Sequence, residues 1–349
     1  MNHGELATSL LAWYDKSARE MPWRVGPAQR KAGIKPDPYR IWLSEVMLQQ
    51  TTVAAVKKYF ERFTSLWPTV NDLAAAPDDQ VMGEWAGLGY YARARNLLKC
   101  ARVVATDHGG IFPQDRKTLL SLPGIGPYTA ASVASIAFDL PETVVDGNVE
   151  RVMSRLHNVH DPLPLSKPQL TDLATRTTPK KRAGDYAQAI MDLGATICTP
   201  KSPACGICPW FAPCIARTKG TAAELPKKVA KPVKPTRKGF AYIARTPSKA
   251  WILERRPEKG LLGGMLGWPG SQWATEAQHE PPFDADWTEL GEIKHTFTHF
   301  HLFLRVMVAS DIQNISESHI TLGANEFKSS DLPTVMRKVF DIAQPNFTD

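Results

Sequence analysis

Residues 122–130 read LPGIGPYTA, and they decide how the first half of the chain is built. Two glycines bracket one apolar residue, and the turn runs through Pro127 into YTAASVASIAF, a stretch of helical character. Such a corner points several backbone N–H groups outward at the positive end of the following helix, so it can hold an anion. A generic turn between two helices has the same glycines, so the pattern gains meaning only from its surroundings. It also poses a question: why does a phenol, Tyr128, stand straight after the turn?

The 349 residues exceed what one hydrophobic core usually organises, and a hydrophobic content of 43% is ordinary for soluble chains, so two or three domains are expected. Apolar spacing is helical to about residue 198: Val53, Val56, Phe60 and Phe63 recur at three- and four-residue intervals, as do Leu97, Ala101 and Val104. This predicts a mainly α region over 1–216, with VGPAQRKAGIKPDP at 25–38 as a surface loop. Residues 217–238 carry eight Lys or Arg against the single acid Glu224, with prolines interspersed, and read as a basic linker. Beyond it, GFAYIAR, KAWILERR and the alternating FTHFHLFLRVMV read as strands, and PTVMRKVFDIAQ as a helix, so 239–349 is expected to be a smaller α+β domain.

No run of 18 consecutive apolar residues occurs, and the N-terminal text has acids and only a short apolar run. The expectation is a monomeric, cytoplasmic, nucleoid-associated protein of a prokaryote-like host, without a membrane partner. A net charge of +7 and a pI near 9.1 favour a polyanionic partner without proving one.

Four of the five cysteines, Cys198, Cys205, Cys208 and Cys214, fall within 17 residues with spacing C-x6-C-x2-C-x5-C. Four thiolates so close can converge on one centre, zinc or iron–sulfur by count. Disulfides are the rival, disfavoured because nothing else in the chain has a secretory character. Cys100, on LLKCARVV, reads as plain core.

Taken together and in this order, LPGIG, VVDGNV and the cysteine spacing resemble the endonuclease III superfamily of DNA glycosylases. The resemblance implies a [4Fe–4S] cluster on the four cysteines, there for structural support and DNA-backbone contact rather than catalysis. It also implies a helix-hairpin-helix in which the amides around Gly124 and Gly126 take a DNA phosphate, often with a monovalent cation. Phosphate contacts give affinity without sequence choice, and a glycosylase must extrude its target nucleotide from the stack.

Two carboxylates stand out. Glu45, inside IWLSEVML, has apolar neighbours that raise a carboxyl pKa and keep its proton available; Asp146, before GNVERV, sits where a helix cap would sit and would stay ionised. An acid and an anion are the pair that cleaves a glycosidic bond through an oxocarbenium-like state. Each also has a plainer explanation, Asp146 above all as a cap.

WLSEVMLQQT and GLGYYARARN narrow the likeness to the MutY-type adenine glycosylase branch. Endonuclease III has a catalytic lysine where this chain has Tyr128, and Glu150 stands where some relatives carry another lysine. Without those amines the resemblance implies base removal without efficient strand cleavage. It further implies that Glu45 protonates adenine at N7 and then manages the water. Asp146 meets the C1′ cation, with Tyr128 and Asn148 in support. Arg24 and Gln188 contact the flipped adenine, Gln50 and Tyr90 probe or intercalate beside the opposite base, and Leu88 lies beside them as a further substrate contact. A salt bridge for Arg24, a helix face for Gln188, a turn for Asn148 and core packing for Tyr90 are the plainer readings.

Residues 239–345 resemble the family's C-terminal domain, which has the Nudix fold, with KGLLGGMLGWPGSQW at 259–273 carrying the likeness. The segment after it lacks the REUxEE carboxylates, so no pyrophosphatase activity is expected. Phe297, Thr298 and His299 match the loop, usually Phe-Ser-His, that recognises 8-oxoguanine; threonine keeps the hydroxyl and adds a methyl. His295, His299 and His301 read as polar positions of one strand rather than a metal site. The expected substrate is duplex DNA with adenine opposite 8-oxoguanine or guanine, with repair or replication proteins as further partners through the linker. The rivals are a bifunctional endonuclease III-like glycosylase/lyase and a non-catalytic, cluster-bearing damage-binding module.

Overall fold

Helical spacing in the first half does fold as helices. The computed structural model describes residues 3–230, 232–257 and 260–347; Lys231 of the basic segment and Lys259 of the glycine-rich stretch lie outside the described residues. The chain divides into two compact units, Met1–Ala230 and Lys231–Asp349.

The first unit runs α1 (His3–Ser17), α2 (Pro27–Lys31), α3 (Pro38–Leu48), α4 (Val53–Leu66), α5 (Val70–Ala75), α6 (Asp78–Glu84), α7 (Ala92–Asp107) and α8 (Arg116–Ser121). It continues with α9 (Pro127–Phe138), α10 (Gly147–Leu156), α11 (Lys167–Thr177), α12 (Ala183–Thr196) and α13 (Ile215–Thr218). Side-chain caps set several starts: Asp37 accepts from the Tyr39 amide before α3, Thr52 from Ala55 before α4, and Asp115 from Thr118 before α8. α9 is apolar all round and is enclosed by α3, α8 and α12, while α10 packs on α12. Trp42, Phe60, Phe63 and Trp85 are fully buried in the same core as Cys100, whose thiol burial pushes up to about 12.

Two expectations are corrected here. The 25–38 segment is not simply a loop: it contains α2, and Arg30 anchors it by donating to the Ile136 carbonyl at 2.6 Å and pairing with Asp185 at 3.2 Å. The 217–238 linker is cut from both sides. Leu225 is buried with Ala216 and Ala222, Arg155 donates to the Leu225 carbonyl at 2.9 Å, and the amides of Leu163 and Val229 bond across the Leu163–Lys228 bridge. At the other end, strand pairing already begins at Thr236. Lysine and proline content marked the segment as solvated, but one leucine that can be buried is enough to tie it down.

The second unit holds β1 (Thr236–Arg245), β2 (Trp251–Arg255), β3 (Leu266–Gly267), β4 (Thr288–Thr296), β5 (His301–Ala309), β6 (His319–Leu322) and α14 (Thr334–Ala343). The sheet order is β3-β2-β1-β5-β4 with β6 beside β2, and β1 runs parallel to β5 while the other pairs are antiparallel. Period-two alternation sends Ala241 and Ile243 of β1 to the core beneath α14, and Phe240 and Tyr242 to the opposite face against Met307 and Trp287. FTHFHLFLRVMV is only partly a strand: β5 starts at His301, and the Phe297 amide closes a turn onto the Phe300 carbonyl at 2.9 Å. His295, His299 and His301 therefore lie on β4, the turn and β5, not on one strand face.

Trp268 is fully buried, stacks on Phe340 with centroids 5.9 Å apart, and donates its indole N–H to the Met336 carbonyl at 3.0 Å. Trp268→Ala is expected to destabilise this unit by about 3–5 kcal/mol in urea unfolding of the full chain. A change below about 1 kcal/mol would mean that the sheet and α14 do not depend on this contact.

Candidate active site

α3, α9, α10 and α12 converge on a cavity of about 430 Å³ whose lining includes Arg24, Glu45, Gln49, Tyr128, Asp146, Asn148, Gln188 and Met191. Six residues named from the sequence thus meet in one place, although they span positions 24 to 188. Sequence reading missed Gln49, which reaches the Thr129 hydroxyl at 3.4 Å, and Met191, whose sulfur takes the Tyr128 hydroxyl at 3.6 Å.

Glu45 lies on the third turn of α3 with only 7% of its surface exposed. Burial raises its carboxyl above the usual glutamate range, and the Asp146 charge adds to this; the Tyr128 hydroxyl and the Arg24 guanidinium oppose it without reversing it. Ionising Glu45 therefore opposes folding: the stability it contributes is complete below 4.5 and is lost as pH rises through the folded value. Burial, then the Glu45 and Asp146 charges, hold the Tyr128 phenol well above 10, so it remains a neutral donor.

Asp146 is both things the sequence allowed. It is the N-cap of α10, its Oδ1 accepting from the amides of Asn148 at 2.9 Å and Val149 at 2.8 Å. It also lines the cavity, and its Oδ2 accepts from Asn148 Nδ2 at 2.7 Å. Asn148 is fixed in turn: its Oδ1 accepts from Arg151 at 2.8 Å, and Gly194 lies so near that an added Cβ would stand 2.6 Å from the Asn148 Cβ.

Arg24 makes a two-pronged contact with Asp192, at 2.8 and 3.0 Å, while Arg19 reaches the same fully buried carboxylate. The salt-bridge reading of Arg24 was thus correct, and it coexists with a place in the cavity wall. Gln188 is buried, its amide donating to the Gly184 carbonyl at 3.2 Å, so it is not on a solvated helix face.

Gly124 has φ +75, a conformation that favours glycine, and an added Cβ would meet Asn96 at 2.7 Å. Gly126 precedes α9 and provides no side-chain cap, which leaves the first-turn amides open to a ligand. Gln50 and Tyr90 are exposed and adopt left-handed φ values of 59° and 50°. Leu88, expected beside them as a substrate contact, is only 6% exposed and packs in the core. In the second unit Phe297 stacks on Trp273 with centroids 5.8 Å apart, while Thr298 and His299 are exposed at the turn.

The four cysteines are unpaired and line one apolar cavity with Arg155 and Trp210. Burial, with the neighbouring cysteine charges adding, pushes the Cys208 thiol up to about 12, so a thiolate there calls for a cationic partner. Among the described residues no three His, Cys, Asp or Glu side chains close to single-ion spacing. Four thiols around one cavity are a donor set that zinc or an iron–sulfur group could take. Arg155 ties the loop to α10, donating to Cys198 Sγ at 3.3 Å and to the Thr199 carbonyl at 2.7 Å, and Arg151 joins the Cys198 carbonyl to Asn148.

Comparison with known proteins agrees with this geometry. Residues 43–172 match the HhH-GPD superfamily of base excision DNA repair proteins, and residues 240–341 match the NUDIX domain. The human adenine DNA glycosylase is 33% identical over 96% of this chain and 73% of its own length. That of Mycolicibacterium smegmatis is 42% identical over 57% of this chain and 66% of its own. Among solved structures, a thermostable thymine-DNA glycosylase superposes with TM-score 0.54 at 30% identity, covering 62% of this chain and 97% of that one. An endonuclease III–DNA complex superposes with TM-score 0.50 at 26% identity, covering 63% and 98%.

Capping and chemistry at Asp146 can be separated. Asparagine caps as well as aspartate, so Asp146→Asn is expected to change unfolding free energy by less than about 1 kcal/mol, with Asp146→Ala costing about 1–2 kcal/mol. Equal losses in the two variants would show that the carboxylate charge itself stabilises the fold.

Proposed function

Because the chain belongs to the adenine DNA glycosylase family, we propose that its cavity removes adenine paired with 8-oxoguanine or guanine in duplex DNA, by hydrolysis and without strand cleavage. The observation that carries this reading is the buried Glu45, its carboxyl raised above the usual range, in one cavity with Asp146, the N-cap of α10. Glu45 gives its proton to N7 of an extruded adenine, so the electrons of the C1′–N9 bond can leave with the base. Asp146, fixed by the two α10 amides it accepts from, faces the cationic sugar and stabilises or captures it. Water then bonds to C1′, and the Glu45 carboxylate takes up its proton, restoring the starting state. Tyr128 and Asn148 keep the two carboxylates in place, and Arg24 and Gln188 border the base.

Lysine is absent from positions 128 and 150, and this favours base release alone over imine-dependent strand cleavage. The hairpin at Gly124 and Gly126 takes a DNA phosphate, with a monovalent cation alongside, and the exposed Thr298 and His299 beside the Trp273–Phe297 stack suit the oxidised guanine. A [4Fe–4S] cluster on Cys198, Cys205, Cys208 and Cys214 supplies, when bound, a rigid cross-link for the loop that α10 grips. Cys208→Ser is expected to lose the broad visible absorption of such a cluster and to unfold the loop. Full retention of iron and absorbance would remove Cys208 from the ligand set.

The test is single-turnover assay of a duplex with adenine opposite 8-oxoguanine, with and without alkali, beside a thymine glycol duplex. Strand breaks at adenine should appear only after alkali, and Glu45→Gln should slow release by at least about 100-fold. Asp146→Asn should be similarly impaired despite its stable fold. Cleavage at thymine glycol without alkali would support the glycosylase/lyase rival, and tight binding without base release the damage-binding module.

A further inference from the structure

α3 ends at Leu48, where the carbonyls of Val46 and Leu48 take only the turn amides of Gln49 at 3.4 Å and Thr51 at 3.2 Å and keep acceptor capacity to spare. Arg93, on the first turn of α7, reaches this end: its Nη1 donates to the carbonyls of Val46 at 3.0 Å, Met47 at 3.1 Å and Gln49 at 2.6 Å. The other terminal nitrogen, Nη2, donates to the carbonyls of Leu88 at 3.0 Å and Gly89 at 3.2 Å, and to the Thr51 hydroxyl at 3.4 Å. One guanidinium thus joins the end of the helix that carries Glu45 to the glycine-bounded tip that carries Tyr90. The same group lies 5.5 Å from the Tyr90 ring centre and 5.3 Å from that of Trp85.

What it joins is strained and exposed. Gln50 and Tyr90 are both non-glycine residues in the left-handed region, and Gly87 and Gly89 beside the tip have φ of 99° and 71°. Such conformations persist only where their surroundings over-determine them. Tyr90 is 52% exposed although it is a large aromatic side chain, so packing does not hold it. The hydrogen-bonded fork at Arg93 does.

We infer that Arg93 is a positioning residue that clamps the Gln50 turn to the Tyr90 tip, so that the two enter the DNA stack as one wedge in fixed register with Glu45. The inference rests on the glycosylase reading, and it explains why a cation near the DNA-facing surface spends its terminal nitrogens on protein acceptors rather than phosphate. Lysine cannot replace it, because a single ammonium cannot span two segments as a planar fork does.

The experiment compares wild type, Arg93→Lys and Arg93→Ala in single-turnover adenine release, with circular dichroism confirming that each is folded at the assay temperature. Two duplexes are used: adenine opposite 8-oxoguanine in a fully paired context, and the same pair flanked by mismatches that leave the adenine already unstacked. Both variants should slow release from the paired duplex about tenfold or more and from the loosened duplex less than about threefold, since only the first needs a wedge. Wild-type rates for Arg93→Lys would show that charge alone suffices and overturn the clamp. Equal losses on both duplexes, or loss of folding in both variants, would overturn it in favour of a general structural role. Wild-type protein inert on both duplexes would defeat the glycosylase reading itself, and the wedge with it.

Discussion

A carboxyl group buried inside a helix must either keep its proton or be matched by cations, and the Glu45 site is arranged around the first choice. Its nearest cation, Arg24, is committed to Asp192 by two hydrogen bonds, so it lowers the Glu45 carboxyl only in part. Tyr128 provides a hydroxyl rather than an amine, which brings a neutral group to the carboxyl and leaves the balance on the side of the proton. Had a lysine stood at 128, its charge would favour the ionised form, and its amine would open a covalent route. The identity of one residue after the glycine turn thus bears on both the proton and the chemistry.

The second carboxylate is treated differently. Asp146 is held by geometry instead: its Oδ1 takes two backbone amides at the start of α10. The same helix grips the cysteine loop one and two turns later: Arg151 reaches the Cys198 carbonyl while holding Asn148, and Arg155 reaches Cys198 Sγ, Thr199 and Pro200. Through α10 the position of the Asp146 carboxylate depends on the order of a loop that makes no contact with the substrate cavity.

Much of this was legible in the sequence, because the signals were local. Helical periodicity, the cysteine spacing, the glycine turn and the apolar setting of Glu45 each lie within about 17 residues, and the structure places each as expected. Signals that depend on distant partners were not legible. Asp192 reads as one more acid on a helix until the fold brings Arg19 and Arg24 to it, and Arg93 reads as a solvated charge until two loops converge on it. That Leu88 is buried beside an exposed Tyr90 was not legible either, because the residue two before the tip turns back into the core. The basic stretch at 217–229 was misread for a related cause: composition averages over a segment, whereas Ala222 and Leu225, with backbone bonds to Leu163, dock it. At 295–301 alternation continued through a turn that no periodicity could mark.

The most direct measurement is the pH dependence of single-turnover adenine release on saturating duplex containing adenine opposite 8-oxoguanine. If Glu45 keeps its proton in the folded cavity, the rate holds through acid pH and falls only as pH climbs through a value above the ordinary 4.5, and Glu45→Gln abolishes that limb. A limb at about 4.5, or one that survives in Glu45→Gln, would contradict the account at its centre.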